Sequence, residues 1–237
     1  MCTRYLIRRA AADVARATGV DTFPLPHPRY NAAPKQTLPI VRKGAGSAAR
    51  EAALLQWGLV PAWNPSRQTS GLLINARAET ITEKPSFRAA FRHRRCVAPA
   101  DGFYEWKPTA TGPRPWLFEP NDPEALLLLA GVWERWEKVD AAPLESFALI
   151  TTTPNAAVEP FHDRMPCLIP AEQLDAWLDP HTPEPVLRRL LQPCNAELLR
   201  CRPVHPRLND VRIDDPSCLD TAPPLPPTDH QLALGIG

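Results

Sequence analysis

ALLLLAGVWERW (residues 125–136) and SFALITTTP (146–154) are the two segments that decide the fold. Both are rich in apolar and β-branched residues, which favour strands, and the first is apolar enough to be a central strand. Shorter segments of the same kind precede them: TLPIVRK, LLQWGLVPAW, GLLINARAET, which is predicted as a strand that runs into a turn, and RCVAPADGFYEWK. The last of these predicts a strand, a turn and a strand, with Asp101-Gly102 as a hairpin-type turn.

Short helices are predicted around these strands. Residues 10–18 form one, with Gly19 as its stop signal. KPSFRAAFRHRR (84–95) predicts another, with Phe87 and Phe91 four positions apart and arginines at 88, 92 and 95. PAEQLDAWLD and PEPVLRRLL are the remaining two. Thirty prolines among 237 residues favour short elements, because proline removes an amide donor.

Many strands with local connections and a few helices predict the α+β class. We expect a compact single domain over residues 1–220, with a mostly antiparallel barrel-like sheet and flanking short helices. The proline-rich segment 221–237 is predicted to be disordered or loosely packed.

Composition restricts the partners and the compartment. A net charge of +1 gives no global nucleic-acid signature, so any DNA affinity must come from a local patch. No apolar run approaches the ~18 residues of a membrane span, and the N-terminus does not resemble a signal peptide. We therefore expect no membrane association and a cytoplasmic protein. The six cysteines form no CxxC pair and no zinc-type spacing, which argues against a metal site or a disulfide framework.

Cys2 follows the initiator methionine. Removal of Met1 would leave an α-amine and a thiol on one residue, with ordinary pKa values of about 7.7–8.0 and 8.5. An α-amine condenses with an aldehyde to an imine, and the adjacent thiol then closes a five-membered thiazolidine. The alternative interpretation is an accidental cysteine in a frayed terminus.

Three further motifs carry candidate catalytic groups. Asn75, Arg77 and Glu79 alternate with small residues, so on a strand they share one face, which is either solvated or lines a groove. Glu105 lies between two aromatic residues, where desolvation would raise its pKa, although a surface glutamate between packing rings fits as well. His162 is a natural acid or base near neutral pH, or a plain polar loop residue.

Aromatic and basic residues offer a candidate DNA surface, since single-stranded DNA binders combine basic grooves with stacking platforms. The candidates for this surface are Trp57, Trp63, Arg4, Arg77, Arg88 and Arg92. An arginine-rich helix face is also often simply solvated.

Taken in order, these motifs resemble the SRAP family, the SOS-response-associated peptidases also described as abasic-site-processing proteins. The matching segments are Met1-Cys2 with Arg4, YNAAP (30–34), WGLVPAW (57–63), INARAET (74–80), PADGFYEW (99–106), AGVWE (130–134) and TTTPNAAVEPFHDRMP (151–166). The departures from the family pattern are Thr3, where glycine is usual, and Lys35 after YNAAP.

The resemblance implies a covalent crosslink between Cys2 and the aldehyde of an abasic site in single-stranded DNA. It implies that Asn75, Glu105 and His162 are active-site residues and that Arg4 and Arg77 hold phosphates. It implies no cofactor, a nucleoid-associated location, a role in the DNA damage response, and a self-processing peptidase activity. Replication-associated protein partners are compatible with it but are not identified by the sequence.

Two alternatives remain open from the sequence. The first is an N-terminal-nucleophile cysteine hydrolase that acts on peptides with the same residues. The second is a non-covalent single-stranded DNA binding module, which would bind intact and abasic strands alike.

Overall fold

The structure is a computed structural model that describes residues 2–44, 49–67, 71–110, 112–139 and 141–223. Within these ranges the chain forms twelve strands, four α-helices and four single turns of 3₁₀ helix. In chain order the elements are β1 (Tyr5–Ile7), α1 (Ala11–Thr18), β2 (Arg29–Ala32), β3 (Thr37–Lys43), β4 (Arg50–Trp57), β5 (Asn75–Arg77), α2 (Arg88–His93), β6 (Arg95–Ala100), β7 (Gly102–Lys107), β8 (Arg114–Pro120), β9 (Leu127–Lys138), β10 (Ala141–Thr152), β11 (Met165–Pro166), α3 (Leu174–Leu178), α4 (Glu184–Leu190) and β12 (Leu199–Pro203).

The strands form two sheets. The larger runs β11-β10-β4-β3-β6-β9, and β9 also pairs with β10, so that five strands close into a ring. The smaller sheet runs β12-β8-β7-β1-β2 and is antiparallel throughout. Only the pairings of β10 with β4 and β5 are parallel among the described strands. The predicted α+β fold with a mostly antiparallel, barrel-like sheet and short helices is therefore confirmed.

One continuous apolar core fills the ring and the space between the two sheets. A second, smaller cluster covers the outer face of the smaller sheet and includes Leu6, Tyr104 and Leu117. Side chains alternate along a strand, so Phe103 and Glu105 of β7 face the main core while Tyr104 faces the second cluster. This alternation directs the Glu105 carboxyl inward.

The two long strands and the first helix lie where the sequence predicts them. β9 and β10 share the longest register in the fold, including Leu149 opposite Gly131. α1 ends at Gly19, whose φ of +68° is the left-handed conformation that glycine adopts at helix C-termini.

Several predicted elements are shorter than expected. Strand β5 covers only Asn75–Arg77, so Glu79 lies in the turn that follows it rather than on the strand. Strand β4 stops at Trp57, because Gly58 has a φ of +129°, which a strand cannot continue. Helix α2 covers only Arg88–His93, and Arg95 already belongs to β6. The Arg95 side chain is buried and donates to the carbonyls of Trp177 and Phe91, so it is a structural residue rather than part of an exposed basic face.

The expected Asp101-Gly102 hairpin is wrong. β6 belongs to the larger sheet and β7 to the smaller one, so these residues form a corner between sheets. The Asp101 carboxylate stabilises the corner by accepting hydrogen bonds from the backbone amides of Arg8 (2.6 Å) and Arg9 (3.0 Å). Gly102 is required there, since a Cβ atom would lie 2.6 Å from the Phe118 carbonyl oxygen.

The first residues of the expected tail pack on the domain. Thr221 forms a bridge with Val204, and Ala222 is buried. The rest of the predicted tail, 224–237, lies outside the described residues. None of the helices in the described ranges combines the length and the apolar character needed to cross a bilayer.

Candidate active site

Cys2 lies three residues before the start of β1 and is fully buried at the seam between the sheets. Its thiol is within hydrogen-bonding distance of the Arg4 carbonyl, with Sγ 3.7 Å from the oxygen. Burial raises the pKa of the Cys2 thiol well above its ordinary value, and the charge of Glu105 raises it further. The thiol is therefore protonated at neutral pH, and Glu105 lies within electrostatic reach of it.

Asn75 connects the two sheets at this point. It begins β5, which pairs with β10 of the larger sheet, and its Nδ2 donates to the Cys2 carbonyl oxygen at 2.9 Å. The Asn75 Oδ1 atom is buried and has no hydrogen-bond partner in the described part of the chain. An unsatisfied buried acceptor beside the cysteine is a position that a bound N–H or O–H group would complete.

Glu105 projects from β7 into the same seam and is only 1% exposed. Burial above all, with a smaller contribution from the Asp163 carboxylate, raises the pKa of its carboxyl from 4.5 to about 7. Its cross-strand neighbour in β8 is Trp116, which adds an aromatic wall. A carboxyl with a pKa near neutrality can accept or donate a proton at physiological pH.

His162 follows a turn that brings it towards β7. Its Nδ1 accepts the Arg164 backbone N–H at 2.9 Å and lies 2.7 Å from the Asp163 carboxylate. The pKa of His162 lies below its ordinary value, because burial lowers it by more than the neighbouring Asp163 carboxylate raises it. Since Asp163 also acts on Glu105, the turn lies within electrostatic reach of the buried carboxyl.

Two arginines flank this cluster. Arg4 is half-buried, its Nη1 donates to the Thr3 carbonyl at 2.7 Å, and its buried Nε has no partner among the described residues. Burial lowers the pKa of Arg4, which also interacts with Cys2. Arg77 is exposed on β5, two residues from Asn75 and therefore on the same face, about 7 Å further along.

The sequence did not identify Arg164 as part of the site. Its guanidinium forms two parallel hydrogen bonds with the Glu79 carboxylate, at 2.7 and 2.8 Å, and also donates to the Thr151 carbonyl. The pair lowers the pKa of Glu79. It joins the end of the Asn75–Glu79 segment to the loop that carries His162, 85 residues later in the chain. Sequence spacing gives no signal for such a distant pair.

The predicted aromatic platforms have different positions. Trp57 is wrong as a stacking platform, because it has no exposed surface and its ring stacks on Phe147 inside the core. Trp63 is 61% exposed and stays a candidate. Arg88 and Arg92 are exposed on α2, which packs against β6 and β9. Their role in DNA binding stays a prediction.

The structure brings the Cys2 thiol, the Asn75 amide and the Glu105 carboxyl together at a buried position, and the turn with the half-buried His162 lies within electrostatic reach of it. No group of three or more potential metal ligands occurs in the described ranges. Such a constellation suits addition to a carbonyl carbon followed by proton transfer.

Comparisons with known proteins show the family to which the chain is similar. A family model described as SOS response associated peptidase (SRAP) matches residues 1–211. The abasic site processing protein YoqW of Bacillus subtilis is 35% identical over 230 residues, covering 93% of this chain and 100% of YoqW. The abasic site processing protein HMCES of Gallus gallus is 31% identical over 222 residues, covering 81% of this chain and 66% of HMCES.

Solved structures share the fold. A protein from Bacteroides thetaiotaomicron matches with a TM-score of 0.83 and 25% identity, over 93% of this chain and 100% of its own. A phage-related protein from Bordetella bronchiseptica matches with a TM-score of 0.69 and 27% identity, over 86% of this chain and 94% of its own.

Proposed function

Because the chain belongs to the SOS response associated peptidase (SRAP) family, we propose that it captures abasic sites in single-stranded DNA. The product is a covalent thiazolidine between the abasic aldehyde and Cys2. The observation that carries this proposal is the junction at Cys2, where the Asn75 amide holds the Cys2 carbonyl beside a buried glutamate of raised pKa. The relatives named as abasic site processing proteins, which align over most of the chain, support the same substrate.

The reaction begins with hydrolytic removal of Met1, which converts the Cys2 amide nitrogen into an amine. The abasic sugar opens to its aldehyde, with His162 as the proton donor or acceptor. The Cys2 amine adds to the aldehyde carbon, and loss of water gives an imine. The thiol then adds across the C=N bond, its proton moves to nitrogen, and the ring closes with a high effective molarity. The balance is aldehyde plus aminothiol to thiazolidine plus water.

Each neighbouring side chain has a role in these steps. Glu105 takes the proton that the amine loses on attack and returns one when water leaves. Asn75 fixes the Cys2 backbone and offers its unsatisfied Oδ1 to the nitrogen of the intermediate. Arg4 and Arg77 hold phosphates on either side, a contact that positions DNA without reading its sequence.

The buried thiol favours the amine as the first nucleophile. As a first nucleophile a thiol attacks through its thiolate, and burial keeps the Cys2 thiol protonated near pH 7. In ring closure the thiol instead lies next to the imine, whose nitrogen takes its proton. A cysteine hydrolase that acts on peptides would need that thiolate first. Peptidase activity on an external substrate is therefore the second candidate, supported by the family description alone.

The test separates the two nucleophiles of Cys2. Cys2→Ala keeps the amine and removes the thiol, so it should form a reversible imine with an abasic oligonucleotide. We expect no heat-stable adduct on a denaturing gel, but an adduct that borohydride traps, together with increased strand breakage by β-elimination. Intact mass spectrometry should show wild-type protein without Met1.

Cys201→Ala is the matched control, because Cys201 is an exposed cysteine on β12 in the smaller sheet. It should crosslink like wild type. If Cys2→Ala binds the oligonucleotide and borohydride traps nothing, the amine-first mechanism is wrong. If wild type binds abasic and intact strands equally and forms no heat-stable adduct, the protein is a non-covalent binding module.

A further inference from the structure

An aromatic pair lies beside the buried carboxyl and has no part in the crosslinking chemistry. Trp116 and Phe161 are half-exposed, and their ring centroids are 4.9 Å apart with planes at 56°. Trp116 is the cross-strand neighbour of Glu105, and Phe161 directly precedes His162. The pair therefore borders the candidate active site on the side of β8.

Lys107 covers one side of this pair. It lies two residues after Glu105 on the same face of β7, about 7 Å further along. Its Nζ is 5.6 Å from the centroid of the Phe161 ring. Because Lys107 is exposed, the part of the Phe161 ring that it covers lies towards the protein surface rather than the core.

Neighbouring side chains and a closed turn hold the Trp116–Phe161 pair in place. The Phe161 ring also packs against Phe118, with the centroids 5.2 Å apart and the planes at 88°, and Phe118 stacks on Phe103. The turn before Phe161 is closed by Asn155, whose Oδ1 accepts the backbone amides of Ala157 and Val158 at 3.1 Å. A fixed aromatic surface loses little entropy when a flat ligand stacks on it.

A half-exposed aromatic pair with an adjacent cation matches the chemistry of a nucleotide. A nucleobase stacks on the rings, and the ammonium pairs with a phosphate, as in other single-strand binding surfaces. We propose that Lys107, Trp116 and Phe161 form a subsite for the nucleotide next to the abasic site, with Lys107 moving from the Phe161 ring to the phosphate. The proposal rests on the proposed function, since it takes the abasic nucleotide to lie at Cys2 and Glu105.

The test uses oligonucleotides that cannot crosslink. A tetrahydrofuran residue at the abasic position lacks the aldehyde, so fluorescence anisotropy gives a true Kd. Two further oligonucleotides carry a second tetrahydrofuran in place of the 5′ or the 3′ neighbour. Phe161→Leu should weaken binding to the first oligonucleotide about five- to tenfold, and Phe161→Tyr should restore it. On one of the two doubly substituted strands the effect of Phe161→Leu should disappear, because the stacked base is absent.

Lys107→Gln should weaken binding to all three strands and reduce their salt dependence, whereas Lys138→Gln, an exposed lysine at the end of β9, should not. An unchanged Kd for Phe161→Leu, or an equal loss on all three strands with an unchanged thermal melt, would overturn the subsite.

The two proposals can fail separately. If wild type crosslinks a true abasic strand and the base-dependent effect is absent, the subsite alone is wrong. If the base-dependent effect is present and no heat-stable adduct forms, the covalent mechanism alone is wrong.

Discussion

Glu105→Gln is the substitution that tests the proposed chemistry most directly. The carboxyl is 1% exposed, and burial raises its pKa to about 7. As the base for amine attack, Glu105 must be ionised to work. Its contribution should therefore be large above pH 7 and should decline as the pH falls. Glutamine keeps the shape of the side chain but cannot accept the proton.

The expected magnitude follows from that pKa. A positioned proton-transfer group contributes ~10²–10⁴ in rate. About 90% of Glu105 is ionised at pH 8 and about 10% at pH 6, by the ordinary titration of a group with this pKa. The ratio of wild-type to variant crosslinking rate should be constant above pH 8 and should fall about tenfold for each pH unit below 6.

The assay is single-turnover crosslinking with protein in excess, quenched and resolved on denaturing gels between pH 5.5 and 8.5. Taking the ratio cancels the titration of the Cys2 amine and of His162, which both proteins share. Anisotropy on a tetrahydrofuran strand checks that binding is equal. A ratio that does not change with pH would refute the role of the ionised carboxylate, and a ratio that rises at low pH would make Glu105 an acid instead.

Two further outcomes are expected. Arg77→Ala should weaken binding to intact and abasic strands alike and should reduce the slope of log K against log salt by about 0.7. The control is Arg16→Ala on α1, which should leave the slope unchanged. Equal slopes for the two variants would show that Arg77 is not part of the DNA surface. Glu105→Gln should also stabilise the fold at pH 8 by up to about 3 kcal/mol. The pKa of Glu105 is about 7 in the folded protein and 4.5 in the unfolded chain, so the wild-type protein has its full stability below pH 4.5 and loses part of it as the pH rises through 7. Denaturant unfolding at pH 4.5 and 8 measures this difference, and an equal effect at both pH values would contradict it.

The sequence predicted those parts of the fold that depend on local patterns. The apolar run in β9, the glycine after α1 and the alternation in residues 75–77 each reflect a regular backbone conformation, and each gave the right element, whereas Glu79 lies in the turn after β5 rather than on the strand. The same alternation predicted that Asn75 and Arg77 share a face.

Local patterns could not predict what depends on the packing of the two sheets. Trp57 is aromatic and adjoins a loop, which is equally true of a stacking platform and of a core residue, and only the closed ring buries it. The Asp101 corner has the composition of a hairpin turn, yet its two strands belong to different sheets. The Glu79–Arg164 pair and the Trp116–Phe161 pair join residues far apart in the chain.

The position of the site at the seam between the sheets explains why the burial that suits Glu105 to proton transfer also lowers the stability of the fold. Cys2 and Glu105 come from the smaller sheet and Asn75 from the edge of the larger one, so the site forms only when the sheets pack together. That packing excludes water from Glu105, and the loss of hydration is the main cause of its raised pKa, with a smaller contribution from Asp163. A water-exposed glutamate at the same place would be ionised and stable, but its pKa would be too low for efficient proton transfer at neutral pH. The continuous apolar core that joins the sheets offsets the cost of the buried carboxyl and thereby allows the site to exist.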